Sequence, residues 1–87
     1  MIRLFLANAP GDIQEIEAAI ATGDGSLVKS TAHKLKGGCL AIGIPRMATV
    51  CVQLESGPAN RAELLGELSR EFERVKERLE KTLARTG

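Results

Sequence analysis

The chain has 87 residues, room for one domain spanning 1–87 and too little for a nucleotide-binding module beside it. Its 44% apolar content includes only two aromatic residues, Phe5 and Phe72, so Leu, Ile, Val and Ala must build the core. A net charge of +1 argues against nucleic acid as the main partner, and no apolar run approaches the roughly 20 residues of a bilayer span or has the form of a signal peptide.

Hydrophobic residues recur with a period near 3.6 in four segments, and none alternates with period two. The first segment, about Ile2 to Ala21, places Phe5, Ala9, Ile13, Ile16 and Ile20 on one stripe. Pro10 lies inside it, where the missing N–H and the ring's pressure on the Leu6 carbonyl predict a kink or break. Thr22-Gly23-Asp24-Gly25 ends this helix and offers Asp24 or Ser26 as the next N-cap. The second helix runs from about Ser26 to Ile42, with Gly43 as its stop and Pro45 suited to the first turn of the third. That third helix, about Pro45 to Ser56, turns Ile44, Met47, Val50, Cys51 and Leu54 inward. After Gly57-Pro58, Asn60 and Glu63 have the spacing of a capping box. The last helix carries Leu65, Leu68, Phe72, Val75, Leu79 and Leu83 at steps of 3, 4, 3, 4 and 4. Four amphipathic helices with short connections predict an all-α, antiparallel up-down four-helix bundle.

Cys39 and Cys51 have no CxxC spacing and no cluster of His or Cys around them, so no metal site is expected. They read as two reduced thiols in the core of a cytoplasmic protein. Charge is unevenly spread. Residues 1–24 hold Arg3 against Asp12, Glu15, Glu17 and Asp24, whereas Gly25–Leu54 holds Lys29, Lys34, Lys36 and Arg46 with no acid. The one histidine, His33, lies in this basic segment.

On a helical wheel with Leu27 at zero, Thr31, Leu35, Gly38 and Ile42 place the apolar stripe of the second helix near about 50–60°. His33 then falls near about 240°, facing water. Gly37 and Gly38 each cost the helix about 0.8–1 kcal/mol relative to alanine. Gly38 lies inward and allows close helix contact. Gly37 lies outward, one turn beyond His33, and leaves space beside the imidazole. Lys36 and Lys29, at i+3 and i−4, are helix neighbours of His33 and suited to screen an anion there. No second histidine, no nearby carboxylate, no Ser/His/Asp or Cys/His frame and no phosphate-binding loop accompanies it. A working His33 would therefore be a nucleophile and carrier activated by a partner.

The run Ala32-His33-Lys34-Leu35-Lys36-Gly37, with Gly43 ten positions after the histidine and Gln53-Leu54-Glu55 in the third helix, resembles the motif of histidine-containing phosphotransfer (HPt) domains of two-component signalling. The likeness extends over nearly the whole chain. Many members carry a further helix before the one that starts this chain; both a stand-alone protein and a domain excised from a hybrid sensor kinase fit. The resemblance implies that His33 is the phosphorylated residue, with Lys36, Gly37 and Lys29 around the phosphoryl group. Gln53 and Glu55 compete as the side chain that hydrogen-bonds the imidazole and fixes its tautomer.

The expected chemistry is attack by a neutral imidazole nitrogen on the aspartyl phosphate of a receiver domain, then donation to a second receiver. Mg²⁺ is expected on the receiver and no cofactor on this chain, which is a phosphoryl carrier without kinase activity of its own. Lys34, Leu40, Ala41, Ile44 and Arg46 are the expected docking residues for the receiver. A monomer is expected, with a dimer through the last helix as the alternative. Two rival functions remain at this stage: the phosphoacceptor domain of a chemotaxis-type histidine kinase, and a helical interaction module that carries no phosphate.

Overall fold

A computed structural model describes residues 1–86. Four helices account for nearly all of them: α1 (Ile2–Thr22), α2 (Gly25–Ile42), α3 (Pro45–Ser56) and α4 (Arg61–Thr86), with no strand among the described residues. Each helix packs on its successor and α4 packs back on α1, so the four form a closed ring in cross-section; among the described residues the backbones of the diagonal pairs, α1 with α3 and α2 with α4, do not approach closely.

Local chemistry explains the boundaries. α1 and α2 end alike, on glycines in the left-handed region (Gly23, φ 74°; Gly43, φ 76°), which lack the Cβ that makes this conformation costly. Past each glycine the chain folds back onto the helix. Asp24 N–H donates to the Ala19 carbonyl at 2.8 Å, and Ile44 N–H to the Cys39 carbonyl at 2.9 Å. Asp24 caps α2, its carboxylate accepting from the Leu27 N–H at 3.1 Å. Pro45 occupies the first turn of α3, where no N–H is required.

Three expectations are corrected. Pro10 does not interrupt α1, which runs unbroken on both sides of it. The ring lies on the exposed face, where the bond withheld from the Leu6 carbonyl can be made to water. Asn60 and Glu63 form no capping box. Asn60 adopts φ 61°, left-handed rather than the extended backbone of an N-cap, and among the described residues its side chain makes no hydrogen bond to the helix end. The buried stripe of α1 is Phe5, Ala9, Asp12, Ile16 and Ala19, with Ile13 and Ile20 only half-buried at its flank.

The core is aliphatic, as the composition requires. Ile16, Val28, Met47, Leu54 and Leu68 are fully enclosed, and Phe5 and Phe72 meet at 6.3 Å between ring centroids where α1 packs on α4. No helix among the described residues is long and apolar enough to cross a membrane.

Candidate functional site

The buried face of α2 consists of Val28, Thr31, Ala32, Leu35 and Cys39. On the wheel used above these residues centre near about 95°, some 40° from the stripe expected. The difference comes from α3, which packs on the Ala32–Cys39 side. His33 remains on the opposite flank, its side chain 69% exposed. Lys36 is carried to the edge of the α2–α3 seam, where only 23% of its side chain is exposed.

Glu55 reaches this edge from the last turn of α3. Its Oε1 lies 2.8 Å from His33 Nδ1, and its Oε2 accepts from Lys36 Nζ at 3.0 Å. One carboxylate thus joins the histidine to the lysine three residues on. Burial of Glu55 favours its neutral form, but the bonds from Lys36 and His33 outweigh it and hold the carboxyl below its ordinary value. Glu55 is therefore ionised at neutral pH and can only accept hydrogen bonds. The proton of the neutral imidazole must then sit on Nδ1, which donates to Glu55 and leaves the Nε2 lone pair available.

Gln53, the other candidate, is not near His33. It lies on the far flank of α3, in a groove against α4 lined by Arg46, Thr49, Glu67, Arg70 and Glu71. Gly37 is exposed, and a Cβ built on it would meet nothing within 4 Å. At Gly38 the same atom would stand 3.3 Å from the Phe5 ring. One glycine of the pair thus leaves open space beside the histidine, and the other admits α1.

The basic segment is less basic as a surface than as a sequence. Lys34 pairs with Asp12 of α1 at 2.9 Å, and Lys36 with Glu55. The hydrogen bond and charge of Asp12 raise the Lys34 ammonium above its ordinary value. Lys29 and Arg46 make no ion pair among the described residues, and Arg46 lies on the α3–α4 side with Gln53.

The expected docking residues divide accordingly. Lys34, Leu40 and Ala41 are exposed on α2, Leu40 by 62%, whereas Ile44 is half-buried and packs against the core. Arg46 is separated from this group by the thickness of α3. Val52, 45% exposed and one turn before Glu55, is an apolar residue on the site's α3 flank that the sequence reading did not single out. Asp12, 7% exposed, was also missed, although its steps of three from Ala9 and four to Ile16 place it on the buried stripe. A second polar tie joins the same helices, Thr31 Oγ1 donating to Glu15 Oε1 at 2.8 Å.

No group of three or more His, Cys, Asp or Glu side chains among the described residues has the arrangement of a metal site. A family model for the Hpt domain matches residues 1–84. No curated protein and no solved structure matches the chain.

Proposed function

The chain belongs to the Hpt domain family, whose members carry out histidine phosphotransfer in two-component signalling and interact with receiver domains; on that premise we propose that His33 carries a phosphoryl group between receiver-domain aspartates. The observation that carries this reading is the Glu55 bridge. It accepts from Nδ1 and so presents Nε2 of an exposed imidazole as the nucleophile.

In the forward step the Nε2 lone pair forms a bond to phosphorus while the bond from phosphorus to the aspartyl oxygen breaks, and the aspartate leaves as a carboxylate. Glu55 stabilises the positive charge that develops on the ring as Nε2 attacks. Lys36 and Lys29 lie within one turn of the phosphoryl group, and Gly37 leaves room for the receiver to approach. Mg²⁺ is supplied by the receiver in this scheme, and Lys34, Leu40 and Ala41 form the part of the expected docking surface that shares a helix with His33.

The same pairings support an antiparallel up-down bundle. Along α1 and α2, Asp12 meets Lys34 and Glu15 meets Thr31, so one chain rises as the other falls. Along α2 and α3, Lys36 in the body of α2 meets Glu55 in the last turn of α3, while Gly43–Ile44 joins the end of α2 to the start of α3, so these two also run in opposite order. The connections are Gly23–Asp24, Gly43–Ile44 and the four residues 57–60.

The test is transfer of radiolabelled phosphate from a phosphorylated receiver. The wild type acquires an acid-labile, base-stable phosphate and His33→Gln acquires none. Labelling that survives the substitution, or a wild type that takes no label from any receiver of its host, would overturn the proposal. Labelling only by an ATP-binding kinase domain would instead favour the chemotaxis-type reading.

A further inference from the structure

α4 is longer than the helices beside it. Its 26 residues span about 39 Å, against about 31 Å for the 21 of α1 and about 18 Å for the 12 of α3. The contact of Phe5 with Phe72 sets the level of α1 against α4. α1 begins three residues before Phe5 and so, in the up-down arrangement supported above, starts alongside Val75. α3 begins at Pro45, next to Arg46, which shares a groove with Arg70 and Glu71. Lys76–Arg85 therefore runs about 15 Å past both neighbours. Leu79 and Leu83 are half-buried there and continue the inward stripe of Leu68, Phe72 and Val75. A helix gains most of its stability by packing such a face, and α1 and α3 do not extend along this stretch.

A surface of matching length lies on the same molecule. A groove of about 630 Å³ runs between α1 and α2, apolar where Leu4, Gly38, Ala41 and Ile42 line it and acidic where Asp12 and Glu15 do. Leu4 is 64% exposed. From Leu4 to Glu15 is about 16 Å along α1. Charge is complementary as well. Lys34 pairs with Asp12, whereas Glu15 accepts from the neutral Thr31 hydroxyl and keeps its charge, so this end of the groove is negative. On α4, Lys81 pairs with Glu77 at 3.3 Å, which leaves Lys76, Arg78 and Arg85 against Glu80.

We propose that the protein forms a two-fold dimer in which the end of α4 of each copy, Lys76–Arg85, lies in the α1–α2 groove of the other. The entering helix sets Leu79 and Leu83 on the apolar stretch beside Leu4 and Ala41, and brings Arg85 level with Asp12 and Glu15. Each copy has one such end and one such groove, so the exchange closes at two copies and the contact is made twice. Opposite charge at the two surfaces favours encounter and fixes the direction of entry. The groove includes Lys34 and Ala41, which also belong to the expected docking surface, so dimer and receiver compete for the same face. Only this competition rests on the carrier reading; the dimer does not.

Sedimentation equilibrium of the full chain tests the dimer. Wild type should pass from monomer to dimer as concentration rises, and a monomer at every concentration up to about 1 mM would overturn the proposal. Leu83→Glu and Leu4→Glu, checked by circular dichroism, should remain monomeric; the exposed Leu4 serves where Leu83→Glu fails to fold. A folded variant that dimerises like wild type would overturn the proposal. A mixture of Asn8→Cys and Leu83→Cys chains, treated with a short thiol cross-linker, should join position 8 of one copy to position 83 of the other. Links formed only between two copies of Leu83→Cys would place the seam along α4 and overturn the groove. Transfer per chain should fall by about half where half of the chains are dimeric and stay constant in Leu4→Glu. Transfer indifferent to dimerisation would overturn the competition. A dimer that accepts no phosphate at any concentration would uphold the interface and refute the carrier reading instead.

Discussion

Gly37→Ala isolates the part of the site that costs stability. Gly37 is exposed in the middle of α2, and an added Cβ meets nothing within 4 Å. Only helix propensity changes, and alanine is favoured by about 0.8–1.0 kcal/mol. An 87-residue chain unfolds with an entropy of about 180 cal/mol/K, so the thermal midpoint should rise by roughly 5 °C. Gly38→Ala is the control. It gains the same propensity, but its Cβ stands 3.3 Å from Phe5 Cδ1, and that ring also packs against Phe72. Overpacking typically costs about 1–3 kcal/mol, so this variant should be neutral to about 2 kcal/mol destabilised. Thermal and urea unfolding by circular dichroism, with unchanged m values, measure both. A neutral or destabilised Gly37→Ala, or two equally stabilised variants, would refute the reasoning. Gly37→Leu tests the purpose of the space: helix content is retained while transfer from a phosphorylated receiver slows roughly tenfold. Unchanged transfer would show that the glycine is not there for the partner.

Three further outcomes follow from the polar ties of α2. Glu55 is held below its ordinary value when folded, so it adds stability above the unfolded carboxylate pKa of about 4.3 and loses it as pH falls through the lower folded value; the urea stability difference between wild type and Glu55→Ala should be flat above about pH 5.5 and shrink below about 4.3. Lys34 is raised by Asp12, so its contribution is complete below the unfolded lysine pKa of about 10.4 and disappears as pH rises through the folded value; carbon NMR of the Lys34 side chain should show this titration moving down in Asp12→Asn. Asp24→Ala removes the acceptor at the start of α2 and should cost about 1 kcal/mol in urea unfolding, and a loss within error of zero would show that the cap is dispensable.

The four helices and the exposure of His33 were legible because each depends on local signals: apolar spacing, glycine stops and a proline in a first turn. Rotation of α2 by some 40° was not, since Ala32 and Cys39 are apolar enough to face either way and only the packing of α3 selects them. The choice between Gln53 and Glu55 stayed open for the same reason. Both lie beside Leu54, and which flank of α3 meets α2 is a property of the bundle and not of the segment. Asp12 was legible in principle, but a carboxylate on a buried stripe is costly unless paired, and its partner Lys34 is 22 residues away in sequence. The basic surface expected over Gly25–Leu54 shrank because acids from outside that segment fold onto it.

The Glu55 bridge divides the site between two helices. A peptide of α2 alone would contain the whole run from Ala32 to Gly37 and would still lack the carboxylate that selects the imidazole tautomer. Unfolded or half-folded chains, which carry the same motif, are in that position too. The histidine is thus distinguished from any other solvent-exposed imidazole only once α3 has docked, and reactivity at His33 becomes a readout of whether the bundle has assembled.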